Sequence, residues 1–208
     1  MTVTSHSGAY NTPDNTIENV KKVIEKNCEI FEVDVTFLPS GTPVIIHSGN
    51  PSENEGVLLE DVFALVAKSN SKAKMNLDIK STLNLPAVDE LLKKYGLIDR
   101  AFYTGVFTDW VDKVKANSCV PYYLNDSIKK SKRKDAETLN ALADKVTKLG
   151  AIGLNTNYKN ATPLMMKIFH ERNIPVSVWT INGRIIAKKY IKMGADNITT
   201  KKPQIFKK

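Results

Sequence analysis

Apolar, β-branched and aromatic runs alternate with longer segments of helical period along the whole chain of 208 residues. Eight of these runs are predicted to be strands: Val3–His6, Ile30–Thr36, Lys74–Lys80, Ala101–Val106, Val120–Leu124, Ala151–Asn155, Val176–Ile181 and Asn197–Thr199. Helices are predicted to begin between them, near Asn15, Leu59, Leu85, Thr108, Asp135, Thr162 and Gly183. This order is typical of parallel strands that close into a barrel and so leave no exposed edge. The sequence therefore predicts an α/β protein with one (β/α)8 TIM barrel domain over residues 1–208.

One short apolar run, Val44–His47, does not fit the alternation. Only residues 38–43, with the turn-forming Pro39, Gly41 and Pro43, separate it from the preceding strand. A parallel crossover needs a dozen or more residues, so the run is predicted to return antiparallel. We expect a short hairpin arm at the C-terminal mouth of the barrel.

Charged residues occupy inward positions on two of the predicted strands. Residues two apart share a face of a strand, so Glu32 and Asp34 are expected to face into the barrel, as are Asp78 and Lys80. Each unpaired buried ion costs several kcal/mol, and a divalent cation with oxygen ligands relieves that cost. A buried ion-pair network, with Lys80 bound to Asp78 or Glu32, is the alternative interpretation.

Two of the three histidines lie at the ends of predicted strands. His6 and His47 are each followed by Ser-Gly, whose small side chains let the chain turn and a ligand approach. Two imidazoles beside a metal suit phosphoryl chemistry, because one can accept a proton while the other donates one. His170 falls within a predicted helix and is expected at the surface or an interface.

Composition excludes several classes of protein. No apolar run reaches the ~18 residues of a membrane span, and no leader peptide is visible, so a cytoplasmic location is expected. Cys28 and Cys119 are too few for a disulfide framework. The formal charge of +8 attracts anions and includes the basic run 129–134, which lacks the interleaved aromatic residues that stack on bases. That run is interpreted as a solvated loop, and no nucleic-acid partner is expected.

The chain resembles the glycerophosphodiester phosphodiesterase family, within a wider group of barrel phosphodiesterases and phospholipases. The matching motifs run in order from end to end: His6-Ser7-Gly8, Pro13-Asp14-Asn15-Thr16, Glu32-Val33-Asp34-Val35, Gly41-Thr42-Pro43-Val44, Ile45-Ile46-His47, Asn76-Leu77-Asp78-Ile79-Lys80, Val178-Trp179-Thr180-Ile181-Asn182 and Gly194-Ala195-Asp196-Asn197-Ile198-Thr199-Thr200. Each motif is weak alone, but their order along one chain is specific.

The resemblance implies metal-dependent hydrolysis of phosphodiesters such as glycerophosphodiesters, as in the metabolism of lipid head groups. It implies that His6 and His47 are the catalytic acid and base. It also implies that Glu32, Asp34 and Asp78 hold a Mg²⁺ or Ca²⁺ ion. Lys80 would contact the substrate phosphate. Trp179 would line the substrate pocket or belong to the barrel core.

Three departures from the family motifs bear on activity. Ser7 stands where the family has an arginine that clamps phosphate, so a substrate contact from this position would be weaker. Ser48 replaces an aspartate, and Asp78 replaces a longer glutamate. These changes leave a second hypothesis open, namely a degenerate barrel that binds a phosphorylated ligand without turnover. A basic nucleic-acid-binding protein is a third hypothesis, which rests on charge alone.

Overall fold

The computed structural model describes residues 1–206, and its centre is a closed barrel of eight parallel strands. The strands pair in the order β1, β2, β5, β6, β7, β8, β9, β10, and β10 returns to β1. Their bounds are β1 Thr2–Ser5, β2 Ile30–Phe37, β5 Lys74–Ile79, β6 Ala101–Val106, β7 Tyr122–Asn125, β8 Leu154–Asn157, β9 Val176–Trp179 and β10 Asn197–Thr200. The predicted (β/α)8 barrel is confirmed.

Seven α-helices lie between the strands of the barrel. They are α1 Ile17–Glu25, α2 Leu59–Lys68, α3 Leu85–Lys94, α4 Val111–Asn117, α5 Ala136–Leu149, α6 Pro163–His170 and α7 Arg184–Met193. Three of them begin at a side-chain cap, in which Thr16, Asp135 or Thr162 accepts a backbone N–H of the first turn. The first residue of each helix lies within three residues of the predicted start, and the largest difference is at α4.

The hairpin arm is also confirmed. Strand β3, Pro43–Ile45, pairs antiparallel with the end of β2, and Val35 faces Ile45 across the pair. A further strand of two residues, β4 (Val57–Leu58), pairs antiparallel with β3. The sequence pattern missed β4 because two residues are too few to show an alternation.

Two strands begin and end later than the apolar pattern predicted. β7 extends to Asn125 and β8 to Asn157, whereas the apolar runs ended at Leu124 and Asn155. Asn125 and Asn155, near the carboxyl ends of these strands, line a cavity. β7 begins after Pro121, which has no N–H for a ladder bond.

The predicted orientation of the charged strands is correct. Phe31, Val33 and Val35 of β2 are fully buried in the hydrophobic core on the helix side of the barrel. Glu32 and Asp34, at the alternate positions, line the interior cavity instead. No helix within residues 1–206 is long and apolar enough to cross a membrane.

Candidate active site

A cavity of about 450 Å³ opens at the carboxyl ends of the barrel strands. This end of a (β/α)8 barrel is the one where enzymes of this fold place their catalytic groups. The lining residues are His6, Glu32, Asp34, His47, Asn76, Asp78, Ile79, Lys80, Thr104, Gly105, Phe107, Trp110, Asn125, Asn155, Trp179, Thr180 and Thr199. All the site residues chosen from the sequence except Ser7 therefore meet here.

Three carboxylates converge on one point of this cavity. Glu32, Asp34 and Asp78 each offer an oxygen atom, and these oxygens all lie within 4.8 Å of one another. The strand register explains the convergence, because Asp34 on β2 pairs directly with Asp78 on β5. Residues paired across parallel strands point to the same side of the sheet, so both side chains point into the barrel.

Glu32 is buried as deeply as Asp34, with 4% of its surface exposed. The backbone N–H of Ser7 donates to its Oε2 at 2.8 Å. Burial raises the pKa of Glu32 well above its ordinary value, and the negative charges of Asp34 and Asp78 raise it further. The Ser7 N–H and the Lys80 ammonium oppose this rise but do not cancel it.

Asp34 is held in place by the amide of Asn15. The Asn15 Nδ2 donates to Asp34 Oδ2 at 2.7 Å, and the backbone N–H of Asp34 donates to Asn15 Oδ1 at 2.9 Å. Burial raises the pKa of Asp34, but the charge of Lys80 and the Asn15 hydrogen bond outweigh it, so the net pKa is lowered. Asp34 therefore stays ionised inside the barrel.

Lys80 bridges two of the carboxylates. Its Nζ lies 2.8 Å from Asp34 Oδ1 and also donates to Asp78 Oδ2. Burial lowers the pKa of Lys80, but the carboxylates of Asp78 and Asp34 outweigh it and the pKa is raised. Lys80 is thus a permanent cation in the cavity. Asp78 Oδ1 also accepts the hydroxyl hydrogen of Thr104 at 2.6 Å.

The charges of this cluster do not balance. Three carboxylates, Glu32, Asp34 and Asp78, face a single ammonium, Lys80, so the fully ionised cluster carries an excess of negative charge. The ion-pair network that the sequence left open is present, yet Glu32 has no lysine or arginine within salt-bridge distance in residues 1–206. Hard oxygen ligands in this number fit a divalent cation such as Mg²⁺ or Ca²⁺.

The two histidines of the cavity differ in the hydrogen bonds that hold their rings. His6 Nδ1 lies 2.8 Å from the carbonyl oxygen of Ser7 and 3.3 Å from Glu32 Oε2. The carbonyl oxygen of Ser7 can only accept a hydrogen bond, so in the neutral ring Nδ1 is the donor and Nε2 carries the lone pair. His47 follows β3 on an exposed segment and makes no hydrogen bond within the described part of the chain. His6 is therefore the fixed imidazole and His47 the free one.

Ser7 does not occupy the position expected of a substrate contact. Its side chain is fully buried, is absent from the cavity lining, and its Oγ accepts the backbone N–H of Asn15 at 2.7 Å. Ser7 therefore supports Asn15, which in turn holds Asp34. The positioning role of Asn15 was missed from the sequence, although the left-handed φ of 53° at this residue is one that asparagine tolerates well.

The remaining walls of the cavity are amides and aromatic rings. Asn125 Oδ1 accepts from the backbone N–H of Gly105 and from Asn155 Nδ2. Phe107 and Trp110 meet edge to face with ring centroids 6.2 Å apart. Trp179 lines the cavity as expected, and its buried indole N–H has no hydrogen-bond partner in residues 1–206. An inward polar residue at a strand end is the signal that could have identified the amides.

The residues expected to lie outside the site do so. His170 is half exposed on α6, where its Nε2 contacts Asp196 Oδ2 at 2.9 Å. Cys28 and Cys119 are both free thiols. The basic run 129–134 forms an exposed turn after β7, as predicted for a solvated loop.

Comparisons with known proteins agree with the motifs. Barrels of similar structure include a protein of Silicibacter pomeroyi described as a glycerophosphoryl diester phosphodiesterase, with a TM-score of 0.82, 16% identity and coverage of 99% of this chain and 91% of that one. An Oleispira antarctica phosphodiesterase, solved with the product sn-glycerol-3-phosphate, has a TM-score of 0.80, 17% identity and coverage of 98% and 94%. A Thermotoga maritima glycerophosphodiester phosphodiesterase has a TM-score of 0.68, 18% identity and coverage of 99% and 96%. These identities show a shared fold.

No curated protein sequence matches the chain. A family model does match, over residues 49–205, which is about three quarters of the sequence. The matched segment contains Asp78, Lys80 and Trp179, while His6, Glu32, Asp34 and His47 precede it. The chain belongs to the glycerophosphoryl diester phosphodiesterase family, a family of phosphoric diester hydrolases.

Proposed function

We propose that this protein hydrolyses glycerophosphodiesters with the help of a divalent cation. The observation that carries the proposal is the convergence of Glu32, Asp34 and Asp78 on one point beside two histidines. Membership of the family supports it, and so does the barrel from Oleispira antarctica that was solved with sn-glycerol-3-phosphate. The products would be glycerol phosphate and a free alcohol.

Glu32, Asp34 and Asp78 would hold the cation, which we propose is Mg²⁺ or Ca²⁺. A cation of this kind, when bound, offsets the charge of a phosphodiester and polarises its oxygens. The chain supplies the rest of the arrangement. Asn15 and the backbone N–H of Ser7 fix Asp34 and Glu32, and Thr104 fixes Asp78, so the three oxygens converge before any ligand binds.

His6 is proposed as the general base. Its Nδ1 proton is held by the Ser7 carbonyl, which directs the lone pair of Nε2 away from the backbone and leaves it able to accept a proton. The attacking oxygen would come from water or from a neighbouring hydroxyl of the substrate. In the second case a cyclic phosphate forms first, and its appearance in the product mixture would identify that route.

His47 is proposed as the general acid. It stands on the exposed segment after β3, at the solvent edge of the same cavity as His6. A protonated His47 can donate to the departing alkoxide, and its exposure lets it regain a proton from water afterwards. This division of roles agrees with the contacts of each ring, because His6 is held by the Ser7 carbonyl and His47 is exposed.

Lys80 and Trp179 are proposed as contacts for the substrate phosphate. Lys80 keeps its charge because the pKa of its ammonium is raised. Trp179 lines the cavity, and its buried indole N–H lacks a partner among residues 1–206, a donor that is costly to leave unpaired. Neither contact requires the arginine that Ser7 replaces.

A protein that binds a phosphorylated ligand without turnover is the alternative, favoured by the burial of Ser7 outside the cavity and by the neutral Ser48 beside His47.

An assay distinguishes the hydrolase from the non-catalytic binder. Purified protein is incubated with glycerophosphocholine and glycerophosphoethanolamine in Mg²⁺, Ca²⁺ or chelator, and released sn-glycerol-3-phosphate is measured enzymatically. Asp78→Asn should abolish release, and Asp144→Asn, an exposed carboxylate paired with Arg172, should leave it unchanged.

The proposal fails if no diester is cleaved with either ion although the metal binds. Calorimetric titration of Mg²⁺ and Ca²⁺ into the protein provides that second measurement. Binding without cleavage would favour the non-catalytic hypothesis.

The single domain over residues 1–208, the cytoplasmic location and the lack of a nucleic-acid partner stay predictions from the sequence.

A further inference from the structure

Three large apolar side chains are exposed at the same end of the barrel. Leu83 follows β5 and is 63% exposed, Phe107 follows β6 and is 51% exposed, and Ile185 follows β9 and is 87% exposed. Leu83 and Phe107 lie on connections that leave the carboxyl ends of parallel strands, and Ile185 lies in the first turn of α7, which follows such a connection. A closed parallel barrel puts these connections at one end, so residues far apart in sequence share one surface.

We call this surface the mouth face and define it by residues 80–84, 107–110, 126–135, 158–162, 180–186 and 201–202, which are the connections after β5 to β10 with the first turn of α7. Six cationic residues of the mouth face are exposed and make no ion pair within residues 1–206: Lys129, Lys130, Lys134, Lys159, Arg184 and Lys202. The connections after β7 contain two acids, Asp126 and Asp135, and both are paired with lysines. The side of the mouth face formed after β7 to β10 is therefore strongly positive.

The negative charge at this end of the barrel lies mainly on the other side. Glu53 and Glu55 belong to the segment between β3 and β4, where each accepts a backbone N–H of a neighbouring turn. Asp109 is an exposed acid two residues after Phe107. The β7–β10 side therefore presents most of the positive charge that a flat anionic surface would meet.

We propose that the mouth face docks on the surface of an anionic lipid bilayer. Isolated apolar residues on a protein surface are ordinary, but here they coincide with unpaired cations around the opening of a cavity. A bilayer surface presents the complementary chemistry, with anionic head groups above hydrocarbon. Nucleic acid would complement the cations alone and would leave Leu83 and Ile185 without a partner.

The docked orientation brings the catalytic cavity to the bilayer. Phe107 both lies on the mouth face and lines the cavity, where it packs against Trp110. If the proposed phosphodiesterase function holds, a lipid whose head group carries the diester could reach the site without leaving the membrane. The docking itself does not depend on catalysis and is measured separately.

The charge contribution is tested by sedimentation with vesicles. Wild-type protein should bind vesicles of equal parts phosphatidylcholine and phosphatidylglycerol, not phosphatidylcholine alone, and the binding should weaken as salt rises. Each lysine near an anionic surface contributes about fivefold in affinity. The triple variant K130E/K134E/K159E should therefore bind at least about 100-fold more weakly. The matched triple K72E/K74E/K115E, at the opposite end of the barrel, should bind like the wild type.

The apolar contribution has its own pair of variants. Leu83→Ser with Ile185→Ser should weaken vesicle binding by about tenfold or more, since each side chain gains from burial in hydrocarbon. Ile152→Ser with Ile191→Ser, which removes two isoleucines that are each 43% exposed away from the mouth face, should have little effect. None of these four residues lines the catalytic cavity.

Three results would overturn the docking proposal: equal binding to neutral and anionic vesicles, equal losses in both lysine triples, or no loss from the Leu83 and Ile185 changes. The last would indicate a general attraction to polyanions, nucleic acid included. Hydrolysis of a soluble diester by every variant is the control for folding and for the site. Vesicle binding with the expected pattern but without hydrolysis would support docking and refute the proposed function.

Discussion

The charge excess of the carboxylate cluster predicts how the metal-free protein responds to pH. Burial and the neighbouring carboxylates raise the pKa of Glu32 above its ordinary value of 4.5, which the unfolded chain would show. Between the two values the folded state binds more protons than the unfolded state. The free energy of unfolding therefore falls as pH rises through the window that begins at 4.5 and extends to the raised pKa.

The size of the effect follows from one proton. The slope is at most about 1.4 kcal/mol per pH unit, which for a domain of this length corresponds to roughly 3–6 °C in Tm per unit. Glu32→Gln keeps the shape of the side chain, and its amide oxygen can still accept the Ser7 N–H. This variant cannot ionise, so we expect it to lose the Glu32 part of the slope and to melt higher than wild type in chelator.

Thermal melting in chelator, from about pH 5 to about pH 8, measures both proteins across the relevant range. Other groups titrate as well, so the informative quantity is the difference between the two curves. Saturating Mg²⁺ or Ca²⁺ should remove that difference by stabilising wild type, by about 2.7 kcal/mol at a hundredfold excess over Kd. The exposed carboxylate of Glu90 provides the control Glu90→Gln. Parallel curves for wild type and Glu32→Gln would refute the reasoning.

The remaining predictions concern the groups around the cluster. His6→Ala and His47→Ala should each lower kcat by about 10²–10⁴, whereas His170→Ala should change it little; equal small losses from all three would contradict the acid–base assignment. Asn15→Ala removes the amide that holds Asp34, so calorimetry should show metal affinity reduced by about 10–100-fold, and unchanged affinity would disprove the positioning role. Trp179→Phe removes the indole N–H and one of the two fused rings, so kcat/KM should fall by about tenfold with metal affinity intact; a loss of metal binding would show that the ring supports the cluster instead.

Much of this fold is encoded in local periodicity. The alternation of eight apolar runs with helical segments predicted the barrel, and the spacing between residues 38 and 43 predicted the antiparallel arm. Local capping residues such as Asp135 and Thr162 marked helix starts correctly. These features depend on neighbours in sequence, so they are visible without any knowledge of long-range contacts.

The inward direction of the charges was also determined locally. The two-residue repeat that buries Val33 and Val35 on the helix side requires Glu32 and Asp34 to face the barrel axis. Because parallel strands carry their carboxyl ends to one end of a barrel, the convergence of these carboxylates with Asp78 followed from fold class and periodicity together. The strand-end positions of His6 and His47 suggested a pair of acid–base groups, and the family motifs implied the same roles for them.

Only the tertiary structure decided the roles of Ser7 and Asn15. The sequence placed Ser7 beside His6 and suggested a substrate contact, but its hydroxyl is buried against the Asn15 backbone. The link from Ser7 through Asn15 to Asp34 joins the connection between β1 and α1 to strand β2, and its geometry depends on a left-handed backbone at Asn15. No periodic pattern encodes such a contact.

The arrangement of the mouth face was likewise fixed by barrel closure. Leu83, Phe107 and Ile185 are separated by long stretches of chain, and each is unremarkable in its own segment. Their proximity to the cavity, and to the unpaired lysines after β7 and β8, arises because eight strands end on one rim. Periodicity sets which side of a strand a residue faces, whereas closure of the barrel sets which distant residues share a surface.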